Sequence, residues 1–206
     1  MVNQIQLPPL EEDMLKELFN IGVGKAAASL SQMINQEISL SVPKVTIEKI
    51  DKLVALLGAD KEIVSISQDV EGPFGARSML LFHEESSMKV VKLMLGKQMP
   101  DEMLAELQEE ALTEIGNIVL NACIGAISNA MKESFNVDIP SFQQAKPEQV
   151  FAGNNLESES TILLLEIDLT LKESDVTGYL ALIFGSDALT NLQDAIGRML
   201  TKLGAA

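Results

Sequence analysis

The sequence predicts an α+β fold, with helices packed against a largely antiparallel sheet. Three observations predict it. A long helical pattern occurs twice, at residues 13–20 and, ninety-seven residues on, at 110–117. Short strand-like runs follow each helix and succeed one another through turns, which favours antiparallel pairing. Each set then closes with an amphipathic helix, at residues 84–96 and 187–203. The chain therefore reads as one domain, 1–206, built of two pseudosymmetric tandem repeats at about 11–98 and 102–203.

The repeat is in register without a gap. Asp13, Glu17, Asn20 and Pro43 correspond to Glu110, Glu114, Asn117 and Pro140. Ile21 matches Ile118, and Ser31 matches Ser128. Leu15, Leu18, Phe19, Ala26, Leu30 and Met33 recur at three-to-four-residue spacing, as do Leu112, Ile115, Ile118, Ala122, Ile127 and Met131. At about 100° per residue, Asp13, Glu17 and Asn20 share a stripe, as do Glu110, Glu114 and Asn117. Gly24 and Asn121 continue those stripes.

Taken in order, Pro8 and Pro9 keep the first helix from starting earlier; it is expected at 11–36. Gly22 and Gly24 cost that helix about 1 kcal/mol each against alanine. With Ala26, Ala27 and Ala28 they let another element approach closely, or leave room beside Asn20 for a partner. Residues 38–42 alternate as a strand that Pro43 is expected to end. Further strands are expected at 45–47, 62–67 and 78–82, with a short helix at 50–57 and a turn at 71–75. Residues 99–102 form the linker. The second half reads as a helix from 101 or 102 to 132, then strands at 135–139, 145–151, 161–171 and 178–184. A polar loop is expected at 152–160.

Composition removes several function classes. A net charge of −15 repels phosphate backbones, so no nucleic-acid partner is expected, and anionic membrane surfaces are disfavoured. The N-terminal residues do not read as a signal peptide, and no run approaches twenty uninterrupted apolar residues. One cysteine, Cys123, fits a reducing cytoplasm. A single histidine, His83, and that cysteine cannot build a zinc cluster or a paired nucleophile, so no metal or cofactor of the chain's own is expected. Cys123 is expected as a buried small hydrophobe and His83 as a solvated turn residue. Amide and carboxylate side chains remain as working groups. An asparagine can hold a water in line with a reacting centre, and a nearby glutamate can pair with a partner's lysine or arginine. That arrangement suits hydrolysis in which the partner brings its own metal and electrophile. A polar helix face retained through duplication is the plainer account of the same residues.

At these residues the sequence resembles the CheC/CheX/FliY family of chemotaxis phosphatases. The family pattern is Asp or Ser, three residues, Glu, two residues, Asn, then twenty-two residues and Pro. Asp13, Glu17, Asn20 and Pro43 fit it fully; Glu110, Glu114, Asn117 and Pro140 fit with Glu in first place. Two repeats without a further domain resemble the CheC branch. The resemblance implies hydrolysis of the aspartyl phosphate of a phosphorylated CheY-like receiver domain. Asn20 and Asn117 would orient the attacking water, and Glu17 and Glu114 would pair with the receiver's lysine. Asp13, Glu110, Pro43 and Pro140 would support the motif. Mg²⁺ would come with the receiver. The expected protein is a cytoplasmic monomer, and docking of the deamidase CheD is compatible with this reading. Phe19 stands where the family often has Gly, as at Gly116; its helical angle places it toward the apolar side. Two other readings remain open: a non-catalytic binding module, flagellar-switch-like or CheD-binding, and a receiver other than the motility CheY.

Overall fold

The computed structural model describes residues 7–73, 75–96, 99–153, 161–171, 174–184, 188–202 and 204. In chain order the elements are α1 (Pro9–Ile34), β1 (Ile38–Lys49), α2 (Ile50–Leu57), β2 (Ile63–Glu71), β3 (Ala76–His83), α3 (Glu84–Leu95) and α4 (Asp101–Met131). There follow β4 (Asn136–Val137), β5 (Ser141–Ala145), α5 (Pro147–Gly153), β6 (Thr161–Leu171), β7 (Ser174–Phe184) and α6 (Ala188–Lys202). The expected α+β class holds, and every strand pair is antiparallel.

One seven-stranded sheet runs β1-β6-β7-β3-β2-β4, with β5 also on β2. β3 and β7 meet at its centre, and each carries its hairpin partner outward, β2 and β6. The outermost strands are exchanged. β1, from the first half of the chain, pairs with β6 from the second; β4 and β5, from the second half, pair with β2 from the first.

Strand alternation splits the interior into two layers. Val64, Ile66, Val70, Leu80, Phe82, Leu163, Leu165, Leu180 and Leu182 face α1, α3, α4 and α6 in the main core. Ile63, Met79, Leu81, Ile162, Leu164, Ala181 and Ile183 face the short helices α2 and α5. Gln68 breaks this alternation, as does its smaller register partner Ser78. Gln68 lies on the main-core side of β2, only 2 % exposed, where the pattern asks for an apolar residue.

α1 and α4 pack on each other across a close crossing. An added Cβ on Gly22 would stand 2.9 Å from the Cys123 Cα and 3.0 Å from the Ala122 carbonyl oxygen. The expectation of a close approach is met at Gly22 and not at Gly24, where nothing lies within 4 Å. Both helices end alike. Asn35 and Lys132 take left-handed conformations, and the next residues' N–H groups, of Gln36 and Glu133, donate to the carbonyls of Ser31 and Ser128. Among the described helices α4 alone is long and apolar enough to cross a membrane, and half of that window is buried inside the fold.

Three expectations are corrected. Pro43 does not end a strand: β1 continues through it to Lys49, absorbing the runs expected at 38–42 and 45–47. It does so because the register shifts between Ser41 and Lys44, a bulge at which a missing N–H costs no ladder bond. The strand expected at 145–151 is instead α5, whose first residue, Pro147, is pre-set for a helix start. His83 is not a free turn residue; it closes β3 half-buried, and its Nδ1 is buried without a hydrogen-bond partner. Of the loop expected at 152–160, residues 154–160 lie outside the described residues.

Candidate functional site

Helix periodicity brings each motif to one face. Asp13, Glu17, Glu110 and Glu114 are exposed, while Asn20 and Asn117 are half-buried. Phe19 is fully buried, as its helical angle implied, and fills core volume rather than facing a partner. Its counterpart Gly116 sits directly on Ile66 of β2, where a Cβ would overlap that side chain. The glycine lets α4 sit down on β2 at this point.

The two carboxamides have different partners. Asn20 Oδ1 accepts the Val42 N–H at 2.9 Å. Its Nδ2 donates to the Lys16 carbonyl at 2.9 Å and, at 3.5 Å, to the Val42 carbonyl. The β1 bulge explains this: Val42 and Pro43 together face Ile167, so Val42's backbone turns from the ladder to the side chain of Asn20.

The second copy has the same bulge. Val70 pairs with Val137 and Ser67 with Ser141, which leaves Ile139 and Pro140 across from Gln68. Asp138 anchors the turn through its N–H to the Asp69 carbonyl at 3.0 Å. Here the backbone does not take the amide, and Ile139 is 91 % exposed. Asn117 Oδ1 instead accepts from Asn121 Nδ2 at 2.6 Å, and Asn121 Oδ1 accepts from Gln68 Nε2 at 3.3 Å. A carboxamide has two N–H donors and two oxygen lone pairs. Among the described residues, Asn117 therefore keeps its Nδ2 and one lone pair uncommitted. Gln68 Oε1 is buried with no partner among the described residues, a cost of about 1–3 kcal/mol that an apolar residue would avoid.

Beside this motif runs a groove of about 410 Å³ between the C-terminal ends of α1 and α3 and the N-terminal half of α4. Met33, Met94, Leu95 and Leu107 line it, and Glu110 and Glu114 stand on its wall. An exposed carboxylate next to apolar surface suits a partner offering a lysine or arginine beside an apolar side chain.

The remaining titratable groups set limits. Burial pushes the Cys123 thiol up to about 12, so it stays protonated and inert, as the sequence implied. Among the described residues no three His, Cys, Asp or Glu side chains gather as a metal site. An unexpected feature is the Asp69–Arg77 pair across β2 and β3, with Nε to Oδ1 at 2.8 Å and Nη2 to Oδ2 at 2.7 Å. The guanidinium holds the Asp69 carboxyl below its usual range. Asp69 and Gln68 escaped sequence reasoning because a polar β2 residue reveals its facing only once strand pairing is known. The one available signal was the sequence Gln68-Asp69 breaking an apolar alternation.

A single antiparallel sheet under two long helices, each bearing Glu-x-x-Asn on its outer face, defines the class of protein. Residues 10–47, which hold the whole first motif, match the model of the CheC-like family. The chain is 28 % identical over 134 residues to the CheY-P phosphatase CheC of Bacillus subtilis (strain 168), across 62 % of this chain and 63 % of that relative. It is 25 % identical over 137 residues to the putative CheY-P phosphatase CheC1 of Halobacterium salinarum, across 66 % and 70 %. The match thus spans less than two thirds of the first relative's length. The crystal structure of Thermotoga maritima FliY superposes with a TM-score of 0.75 at 20 % identity, over 97 % of this chain and all of that one. The chain is thus similar to CheC-like proteins in sequence, and to FliY in fold.

Proposed function

We propose that this chain is a phosphatase that hydrolyses the aspartyl phosphate of a CheY-like receiver domain and so ends its signal. The observation that carries the reading is the second motif. An exposed Glu114 stands one helical turn before Asn117, whose amide has a donor and a lone pair uncommitted. In the docked complex Glu114 pairs with a lysine of the receiver. Asn117 donates from Nδ2 to a phosphoryl oxygen and accepts a hydrogen bond from the attacking water at Oδ1, holding that water in line. Mg²⁺ belongs to the receiver, and no residue here is assigned to it. Glu17 and Asn20 act in the same way once the Asn20 amide leaves the Val42 backbone. Names carried by relatives support the reading: of the two curated relatives described above, one is named a CheY-P phosphatase and the other a putative one. The negative charge of the chain favours a lysine-bearing docking site and a monomer, and its single cysteine fits a reducing cytoplasm. CheD docking is compatible with it.

The test is loss of phosphate from a phosphorylated CheY-like receiver in Mg²⁺ with and without this protein. The protein should accelerate the loss, and the double variant Asn20→Ala, Asn117→Ala should abolish the acceleration while remaining folded. Undiminished turnover in that variant overturns the mechanism. Binding of the phosphorylated receiver without turnover would make the chain a docking module instead.

A further inference from the structure

The second motif differs from the first in what stands behind its asparagine. Across the proline bulge of β1 lies Ile167, and one helical turn beyond Asn20 lies Gly24. Across the corresponding bulge lies Gln68, and one turn beyond Asn117 lies Asn121. The two polar residues occur together and are hydrogen-bonded into a line that ends on Asn117. Where both are replaced by residues that cannot hydrogen-bond through a side chain, the asparagine turns to the backbone of Val42.

We infer that Gln68 and Asn121 are positioning residues that aim the Asn117 carboxamide for hydrolysis. Gln68 is buried on β2, a strand paired on both sides, and Ile66 on the same face is packed against Gly116 of α4, so the side chain has little room to swing away. Its Nε2 fixes which way the Asn121 amide faces, with oxygen inward and nitrogen outward. Asn121 Nδ2 in turn fixes the rotation of the Asn117 amide by occupying one Oδ1 lone pair. The amide then meets a docked phosphoryl group already oriented, with no rotation to lose on binding. Without the line, Asn117 rotates freely and spends part of its time with nitrogen and oxygen interchanged. Docking through Glu114 does not pass through this line.

This inference rests on the phosphatase reading of the same site, and the experiment separates the two. Steady-state turnover of a phosphorylated CheY-like receiver is measured for the wild type and, in an Asn20→Ala background that leaves only the second site working and serves as the reference for every variant, for Asn121→Ala, Asn121→Asp and Gln68→Leu, each alone and with Asn117→Ala. Asn121→Asp still accepts from Gln68 but cannot donate to Asn117, and at an exposed position it leaves the fold alone. Both Asn121 variants should lower kcat by several-fold to about a hundredfold with KM unchanged, the range that small misplacement of a reacting group costs. Gln68→Leu removes an unpartnered buried oxygen, so it should melt no earlier than the reference and still turn over more slowly. With Asn117 already alanine, neither change should slow the residual rate further. Unchanged kcat in Asn121→Asp, a rise in KM alone, or full additivity with Asn117→Ala overturns the positioning role and leaves the phosphatase reading standing. A wild type without turnover overturns both.

Discussion

Asn20 and Asn117 are the same residue type at the same helical position, yet their surroundings give them opposite mechanical duties at rest. Asn20 ties α1 to β1 by closing both polar groups of Val42, a residue 1 % exposed. Removing it leaves a buried N–H unmet, which costs about 1–3 kcal/mol. Asn20→Ala should therefore lower the urea midpoint clearly, and Asn117→Ala, which strands only the exposed Asn121, should lower it much less. Equal shifts would show that the Val42 clamp contributes nothing to stability. The helix face of every motif residue was legible in the sequence, because a 3.6-residue period needs no tertiary knowledge. So was the inward turn of Phe19. The partners of the two amides were not legible, because they depend on a bulge that frees Val42 and on which strand lies under α4.

At the scale of elements, α1 carries two glycines with opposite consequences. Gly22 lets the α4 backbone approach at Cys123, so Gly22→Ala must push the two central helices apart, at about 1–3 kcal/mol for an overpacked contact. Gly24 meets nothing, so Gly24→Ala should gain about 1 kcal/mol of helix propensity. Thermal unfolding should shift in opposite directions for the two variants; a stabilised Gly22→Ala would mean that the crossing is looser than the structure has it. The sequence marked both glycines as small without telling them apart, since only the crossing point distinguishes them. Elements misjudged in the sequence share a cause. Each turns on a proline: Pro43 was expected to end a strand and Pro147 to lie within one, and in place the first rides a bulge and the second opens a helix.

Over the whole molecule, the exchange of outer strands binds the halves together. The hairpins β2–β3 and β6–β7 are local and were foreseeable as antiparallel; the pairing of β1 with β6 and of β5 with β2 was not, since neither leaves a mark in local pattern. A chain cut in the linker before α4 should give two fragments that are largely unfolded apart, each with a strand edge unpaired. Mixed, they should recover the sheet, read as restored circular dichroism and co-elution. Independent folding of either fragment would show that the halves are separable after all.

The same exchange sets an order of events during synthesis. Ile38 and its neighbours leave the ribosome early, but Leu171, the partner of Ile38, is made near the other end of the chain. At about 5–20 residues per second, the nascent strand waits on the order of ten seconds with its edge bare. An alternating apolar segment held open for that long is a natural resting place for a chaperone, and a hazard in a crowded polysome.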